Sequence, residues 1–90
     1  MLDLESTALF RQSYKHLMRS GRDIGKLDEV IGLLRQEEGL PPKYKDHQLK
    51  GNLKHMRECH IEKNWLLLYH VSNNTLVLAD TGTHSELLNK

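Results

Sequence analysis

The chain has 90 residues, 38% of them hydrophobic and 28% charged, which excludes a disordered or multidomain protein. Its single cysteine, Cys59, excludes an intramolecular disulfide and fits a reducing compartment. The longest apolar run, Trp65–Tyr69, is far shorter than the roughly 20 residues of a membrane-spanning helix, and Met1–Glu5 lacks the basic start of a signal peptide. We therefore predict one domain over residues 1–90, in a soluble, cytoplasmic protein that engages no membrane.

Positive charge is concentrated in one segment, although the net charge of the chain is only +1. Such a small net charge is by itself a weak indication of nucleic-acid binding, which depends on neutralising phosphates. Between residues 43 and 63, however, six basic side chains outnumber three acidic ones, and three histidines lie among them. This stretch is either a basic binding surface or a solvated face that happens to be positive.

The first half of the chain predicts a short strand followed by two helices. The strand is placed at Met1–Leu4, and Ser6 or Thr7 can cap the first helix. Its apolar positions recur on one helical face and are Phe10, Tyr14, Leu17 and Met18. Gly21 suits the left-handed residue that follows the end of this helix. Asp23 can cap the second helix, which Gly39 and Pro41-Pro42 terminate; its apolar stripe is Ile24, Leu27, Val30, Ile31, Leu33 and Leu34. The short connection indicates an antiparallel helical hairpin.

The second half predicts strands. After an irregular polar segment over Lys43–Lys54, strands are expected at Met56–Ile61, Trp65–Val71 and Thr75–Asp80, separated by tight turns. Thr83 and Glu86 have the spacing of a capping box for a short last helix. The fold class is therefore α+β: a small antiparallel sheet with an N-terminal helical hairpin packed on one face and a short C-terminal helix. Part of the other face is left open for function.

Three of the six histidines lie at the edges of predicted elements, where a sheet rim can bring distant residues together: His47, His60 and His84. Cleavage of RNA by its own 2′-hydroxyl needs a base, an acid and a donor for the charge on phosphorus. Histidine suits the first two roles because its ordinary pKa of about 6.5 allows either protonation state near neutrality. No metal, cofactor or catalytic serine is then required, and no phosphate-binding or zincin motif is present.

Other interpretations of these residues remain open. Any one histidine is more often a surface or cap residue; His16 and His70 are expected to be structural, and His55 is unassigned. Trp65 is either core or a half-exposed ring that stacks on a base. Zinc could be held by Cys59 and His60 with His47, His55 and His84, although the usual ligand spacings are absent.

Three motifs in order resemble the YafQ-type toxins of the RelE/ParE superfamily. Tyr44–Gly51 (YKDHQLKG) resembles their Asp-His-x-Leu-x-Gly segment. Arg57–Tyr69 (RECHIEKNWLLLY) resembles a stretch that joins an Arg-acid-x-His unit to a Trp and three hydrophobic residues. Thr81–Leu88 (TGTHSELL) resembles their closing Gly-Thr-His segment. The resemblance follows the whole chain in element order and is strongest from Tyr44 onward.

The resemblance implies a toxin of a type II toxin–antitoxin pair, with a helical hairpin on one side of a small sheet. Such toxins cleave mRNA at the ribosomal A site, leave a 2′,3′-cyclic phosphate, and are neutralised by a cognate antitoxin. The implied acid–base set is His47, His60 and His84, with Trp65 beside it. Our working assignment makes His84 or His60 the general acid and His47 the general base, and the sequence alone does not decide between the possible assignments.

Further site residues are chosen by charge or by departure from the family pattern. Lys50, Lys54 and Arg57 are predicted to contact phosphates. Asn64 stands where some members have an aspartate, so it can orient a neighbour by hydrogen bonding but cannot act as a base. Leu88 stands where several members have phenylalanine, which argues against stacking there.

Two other functions remain as alternatives. ParE-type toxins of similar fold bind DNA gyrase without catalysis, and a decayed toxin would bind its antitoxin without cutting RNA. The expected partners are the ribosome, mRNA and an antitoxin with an acidic segment that suits the basic surface. No direct DNA binding is expected of the toxin alone.

Overall fold

The computed structural model describes residues 1–88 and has five strands and three helices. The elements in chain order are β1 (Asp3–Ser6), α1 (Ala8–Arg19), α2 (Ile24–Arg35), β2 (His47–Gln48), β3 (Arg57–Glu62), β4 (Trp65–Ser72), β5 (Thr75–Gly82) and α3 (His84–Leu88). Short 3-10 turns at Pro42–Tyr44 and Gly51–Leu53 flank β2. None of the helices in residues 1–88 combines the length and the apolar character of a membrane-spanning segment.

The five strands form one sheet in the order β1-β5-β4-β3-β2. Strands β3 to β5 pair antiparallel, as predicted, and β2, which was not predicted, pairs antiparallel with β3. Strand β1, however, lies parallel to β5, with Asp3 opposite Thr75 and Ser6 opposite Leu78. The sheet is therefore mixed at this edge, because the helical hairpin carries the chain across the sheet before the remaining strands return in hairpins.

Both predicted helix starts are confirmed by their caps. The Thr7 hydroxyl accepts a hydrogen bond from the Phe10 amide at 3.0 Å, and the Asp23 carboxylate accepts one from the Gly25 amide at 3.1 Å. The apolar stripes of both helices join the strands in one hydrophobic core, which includes Phe10, Leu17, Leu27, Val30, Ile31, Cys59, Ile61, Leu67, Leu76 and Leu78. This packing covers one face of the sheet.

The other face carries the polar side chains of β3. Side chains alternate between the faces of a strand, so the buried Cys59 and Ile61 point to the core while Glu58 and His60 point away from it. At the start of β4, Trp65, Leu66 and Leu67 are all buried, in agreement with the prediction of a strand covered on both sides.

A short strand interrupts the segment that was predicted to be irregular. In β2, His47 lies opposite Glu58 and Gln48 lies opposite Arg57. Only two residues pair, and both are polar, so no alternation of apolar residues could reveal the strand in the sequence. Its pairing fixes His47 beside the open face of β3.

Candidate active site

The three histidines selected from the sequence come together around His60. The ring centroids of His47 and His60 are 6.3 Å apart, and those of His60 and His84 are 5.8 Å apart. They arrive from β2, β3 and the first residue of α3. Three distant parts of the sequence thus meet at one rim of the sheet.

A backbone carbonyl orients His47. Its Nδ1 lies 2.7 Å from the carbonyl oxygen of Lys45, so Nδ1 carries the proton, because a carbonyl can only accept. Nε2 then lies 3.5 Å from the Glu58 carboxylate and forms an ion pair when the ring is protonated. Lys45 has a φ of +50°, a left-handed conformation that is uncommon for a lysine.

The segment before His47 is held by a network of Asp46, Arg57 and Tyr69. Arg57 donates to both carboxylate oxygens of Asp46, at 3.3 and 3.1 Å, and the Tyr69 hydroxyl donates to Asp46 Oδ1. This paired carboxylate raises the pKa of Arg57. In this conformation the guanidinium of Arg57 is engaged by Asp46, and a phosphate contact by Arg57 stays a prediction.

His60 lies at the centre of the cluster in a partly desolvated position. Desolvation lowers its pKa below the ordinary value of 6.5, the positive neighbours His84, Lys45 and His47 act in the same direction, and Glu58 opposes them. Its Nδ1 is buried and has no hydrogen-bond partner in the part of the chain that the structure describes. The neutral ring is therefore the dominant form at neutral pH.

Glu58 is a site residue that the sequence analysis missed. Its side chain is only 18% exposed, and its carboxylate lies within 4.8 Å of ligand nitrogens of both His60 and His84. The signal was present in the two-residue spacing of Glu58 and His60, which puts both on the same face of a strand. The motif comparison had drawn attention to the histidine alone.

Asn64 orients the third histidine, as its amide permits. Its Oδ1 accepts hydrogen bonds from the backbone amide and from Nδ1 of His84, at 3.2 and 3.0 Å. The predicted capping box fixes the start of α3: the Thr83 amide donates to the Glu86 carboxylate, and the Glu86 amide donates to the Thr83 hydroxyl. The side chain of Leu88 lies outside the described residues.

Trp65 is fully buried, which agrees with the first of its two interpretations, a core residue, and not with a half-exposed ring. Its Nε1 donates to the Thr81 hydroxyl at 2.9 Å, and the guanidinium of Arg22 lies 5.5 Å from its ring centroid. Because no face of the ring is open, a base cannot stack on it in this conformation. Trp65 starts β4, which pairs with the end of β3 that carries His60.

The two lysines chosen by charge, Lys50 and Lys54, lie in the fold away from His60, and their predicted phosphate contacts stay predictions. Both lie in the β2–β3 connection beyond Arg57, while His60 lies toward the opposite end of β3. Near His60 the basic side chains are instead Lys43, Lys45 and Lys63, which line a cavity of about 670 Å³ together with His60. The turn at Pro42–Tyr44 brings Lys43 and Lys45 close to His60, and the sequence alone does not reveal this contact.

The remaining histidines lie outside this cluster. His16 on α1 is 3.6 Å from Glu86, and His55 packs its ring on that of His70, with centroids 6.1 Å apart. Their positions agree with the structural role expected of His16 and His70.

A metal ion could be held by Glu58, His60 and His84, whose ligand atoms lie close together. Imidazole nitrogens with a carboxylate suit copper or zinc. Cys59 cannot be a ligand of the zinc site considered from the sequence, because its side chain belongs to the hydrophobic core. Burial raises the pKa of its thiol to about 12, so it is neither a ligand nor a nucleophile.

Comparison with known proteins gives a consistent result. A family model described as "Bacterial toxin of type II toxin-antitoxin system, YafQ" matches residues 2–89. The "mRNA interferase toxin YafQ" of Escherichia coli K12 is 34% identical over 86 residues, which cover 94% of each chain. A copper-bound mutant toxin from Helicobacter pylori is 42% identical with a TM-score of 0.93, over 97% of this chain and 99% of that one. The E. coli DinJ–YafQ toxin–antitoxin complex gives 33% identity and a TM-score of 0.88, over 96% of both chains.

Proposed function

Because this chain belongs to the YafQ family of bacterial toxins of type II toxin–antitoxin systems, we propose that it is an endoribonuclease that cleaves mRNA at the ribosomal A site. The observation that carries this proposal is the meeting of His47, His60 and His84 around Glu58. Binding alone, as in a gyrase inhibitor, does not require three imidazoles beside one carboxylate. The relative from E. coli that is named an mRNA interferase supports cleavage of mRNA.

The reaction needs only groups of the protein and the RNA. The 2′-oxygen attacks phosphorus, the bond from phosphorus to the 5′-oxygen breaks, and a 2′,3′-cyclic phosphate is left. His60 accepts the 2′-hydroxyl proton, since its lowered pKa keeps the ring neutral. This differs from our sequence-based assignment of His47 as base, because Nδ1 of His47 is committed to the Lys45 carbonyl and its Nε2 faces Glu58.

His84 then protonates the leaving 5′-oxygen. Asn64 holds the Nδ1 proton of its ring, so the proton on Nε2 of the imidazolium is the one available for transfer. Protonated His47 stabilises the charge that develops on the phosphoryl oxygens, and Glu58 orients it. Each of the three histidines thereby has a different role.

The proposed reaction does not depend on a metal ion. If copper or zinc bound, Glu58, His60 and His84 would hold it, and the ion would polarise a phosphoryl oxygen. It would also occupy ring nitrogens of His60 and His84 that proton transfer needs. We therefore expect cleavage to survive EDTA and to be inhibited by added Cu²⁺.

The proposed partner is a cognate antitoxin, since the E. coli relative was solved as a toxin–antitoxin complex. A basic surface around the cluster would attract an acidic antitoxin segment and an RNA strand alike. Competition between the two for this surface would explain neutralisation of the toxin.

The test is cleavage of mRNA-programmed ribosomes, with new RNA ends mapped by primer extension. His60→Ala and His84→Ala should each lower the rate about 10²–10⁴-fold, because each removes a proton-transfer group. His55→Ala and His70→Ala are matched controls, since both histidines lie outside the cluster. Wild-type rates in the His47, His60 and His84 variants would refute the assignment. Inhibition of gyrase supercoiling with intact mRNA would identify a binding toxin instead.

A further inference from the structure

A basic cavity opens beside the histidine cluster. Its volume is about 670 Å³, within the range of roughly 300–1,000 Å³ that small-molecule sites occupy. It lies between α2, the turn at Pro42–Tyr44 and the end of β3, and its lining consists of Lys26, Glu29, Lys43, Tyr44, Lys45, His60, Ile61, Glu62 and Lys63. His60 belongs both to the lining of the cavity and to the histidine cluster, so an RNA strand bound at the histidines would pass beside the cavity.

The charges of the lining leave three lysines for a ligand. Glu62 is paired with Lys26 at 2.6 Å and with Arg22 at 3.4 Å. Among residues 1–88, no ion pair is formed by the side chains of Lys43, Lys45 or Lys63. Glu29 is the other carboxylate of the lining, and it does not balance three ammonium groups. An anion is therefore the ligand that this cavity favours.

The cavity favours a phosphate over a base. Its tyrosine, Tyr44, is buried, and the ammonium group of Lys43 lies 5.0 Å from the centroid of that ring. The tyrosine ring therefore offers no open face for stacking, whereas lysine ammonium groups bind phosphate oxygens as point charges. Recognition of this kind is insensitive to the identity of the base.

Lys45 connects the cavity to the cluster. Its side chain lines the cavity, and its carbonyl accepts the Nδ1 proton of His47. Its left-handed conformation closes the turn at Pro42–Tyr44 through a hydrogen bond from its amide to the Pro42 carbonyl. Unusual backbone conformations of this kind occur where function constrains the chain.

We propose that this cavity is a subsite for the RNA phosphate next to the scissile one, bound by Lys43, Lys45 and Lys63. The proposal rests on the proposed function, because it takes the scissile phosphate to lie at His60. An RNA placed in that way presents its neighbouring phosphate to a cavity of which His60 is a wall. The subsite fixes the register of the strand by charge and contributes no sequence preference.

The test uses a short fluorescent RNA with 2′-O-methyl riboses, which cannot be cleaved, and measures its affinity by anisotropy at several salt concentrations. Lys45→Gln and Lys63→Gln should each weaken binding by roughly tenfold, the value of one charge-assisted contact. Each should also reduce the slope of log affinity against log salt by about one. Lys15→Gln on α1 is the control, because it removes the same charge outside the cavity.

Two further RNAs locate the phosphate. Each carries one neutral methylphosphonate, placed on one side of the scissile position in the first RNA and on the other side in the second. For one of the two RNAs, the methylphosphonate should weaken binding to the wild type. It should weaken binding to the Lys45→Gln and Lys63→Gln variants much less, because these variants have already lost the same contact. Fully additive losses on both sides would overturn the subsite.

The outcomes separate the subsite from the proposed function. Normal cleavage by the wild type with RNA affinities that match the Lys15→Gln control would overturn the subsite alone. Non-additive binding without any cleavage on ribosomes would support the subsite and overturn the nuclease assignment. Unchanged RNA affinity with weakened binding of the purified antitoxin would mark the cavity as a protein site and overturn the proposal.

Discussion

The two outer histidines of the cluster are supported in different ways. Asp46, which precedes His47, is held by Arg57 and Tyr69 from two neighbouring strands of the sheet. His84 is the first residue of a five-residue helix, and a single exposed amide, Asn64, orients it. Support for His47 is thus coupled to the folding of the sheet, whereas support for His84 is local. Mutations on the two sides should separate stability from catalysis.

Among the changes that test this comparison, Asp46→Ala is expected to have the largest effect. The change removes three hydrogen bonds to a carboxylate and leaves Arg57 without its partner, so the free energy of unfolding should fall by about 2 kcal/mol. Displacement of His47 should also lower the cleavage rate by up to about 10²-fold. Urea denaturation and primer extension measure the two effects.

Asp28→Ala is the control for that change. Asp28 also accepts a hydrogen bond from a tyrosine, Tyr14, at 3.2 Å, but this contact is exposed and lies on the helices. Its loss should cost well under about 1 kcal/mol and leave cleavage intact. Equal losses of stability in both variants would show that the Asp46 network does not brace the sheet.

A smaller effect, confined to activity, is expected from Asn64→Ala. The variant loses the acceptor that orients His84, and the rate should fall roughly tenfold, the value of one to two hydrogen bonds. The free energy of unfolding should change little, because the contact is exposed. Asn64→Asp retains an acceptor oxygen in the same place and should keep most of the activity. If Asn64→Ala were as unstable as Asp46→Ala, the distinction between the two sides would fail.

The smallest effects are shifts in pH dependence, which test how the middle histidine responds to its neighbours. Desolvation lowers the pKa of His60 below 6.5. Because His60 must be neutral to act as the base, activity should rise with pH through that pKa. Glu58 raises this pKa and Lys45 lowers it. Glu58→Gln should therefore move the acidic limb to lower pH, and Lys45→Gln should move it to higher pH. NMR titration of the His60 ring checks both directions, and shifts of the same sign would contradict them.

Much of the fold was predictable because local rules decide it. Thr7, Asp23 and Thr83 cap helices through groups two or three residues away, and those contacts can be inferred from spacing alone. The parallel pairing of β1 with β5 was not predictable, since it joins residues some 70 positions apart that share no local signal. The predicted site residues follow the same division between local and long-range contacts. Whether Arg57 meets a phosphate or Asp46, and whether Trp65 is covered, depends on neighbours that only the folded sheet supplies.

The pairing of the first strand with the last has a consequence for synthesis of the chain. Asp3 is aligned with Thr75, and the Thr7 hydroxyl that caps α1 also donates to the carbonyl of Ala79. Strand β5 therefore completes both the sheet edge and the site of the helix cap, and contacts of such long sequence separation form slowly. A nascent chain lacks this edge until residues 75–79 have left the exit tunnel. The sheet edge and the site of the helix cap are therefore among the last parts of the fold to form during synthesis.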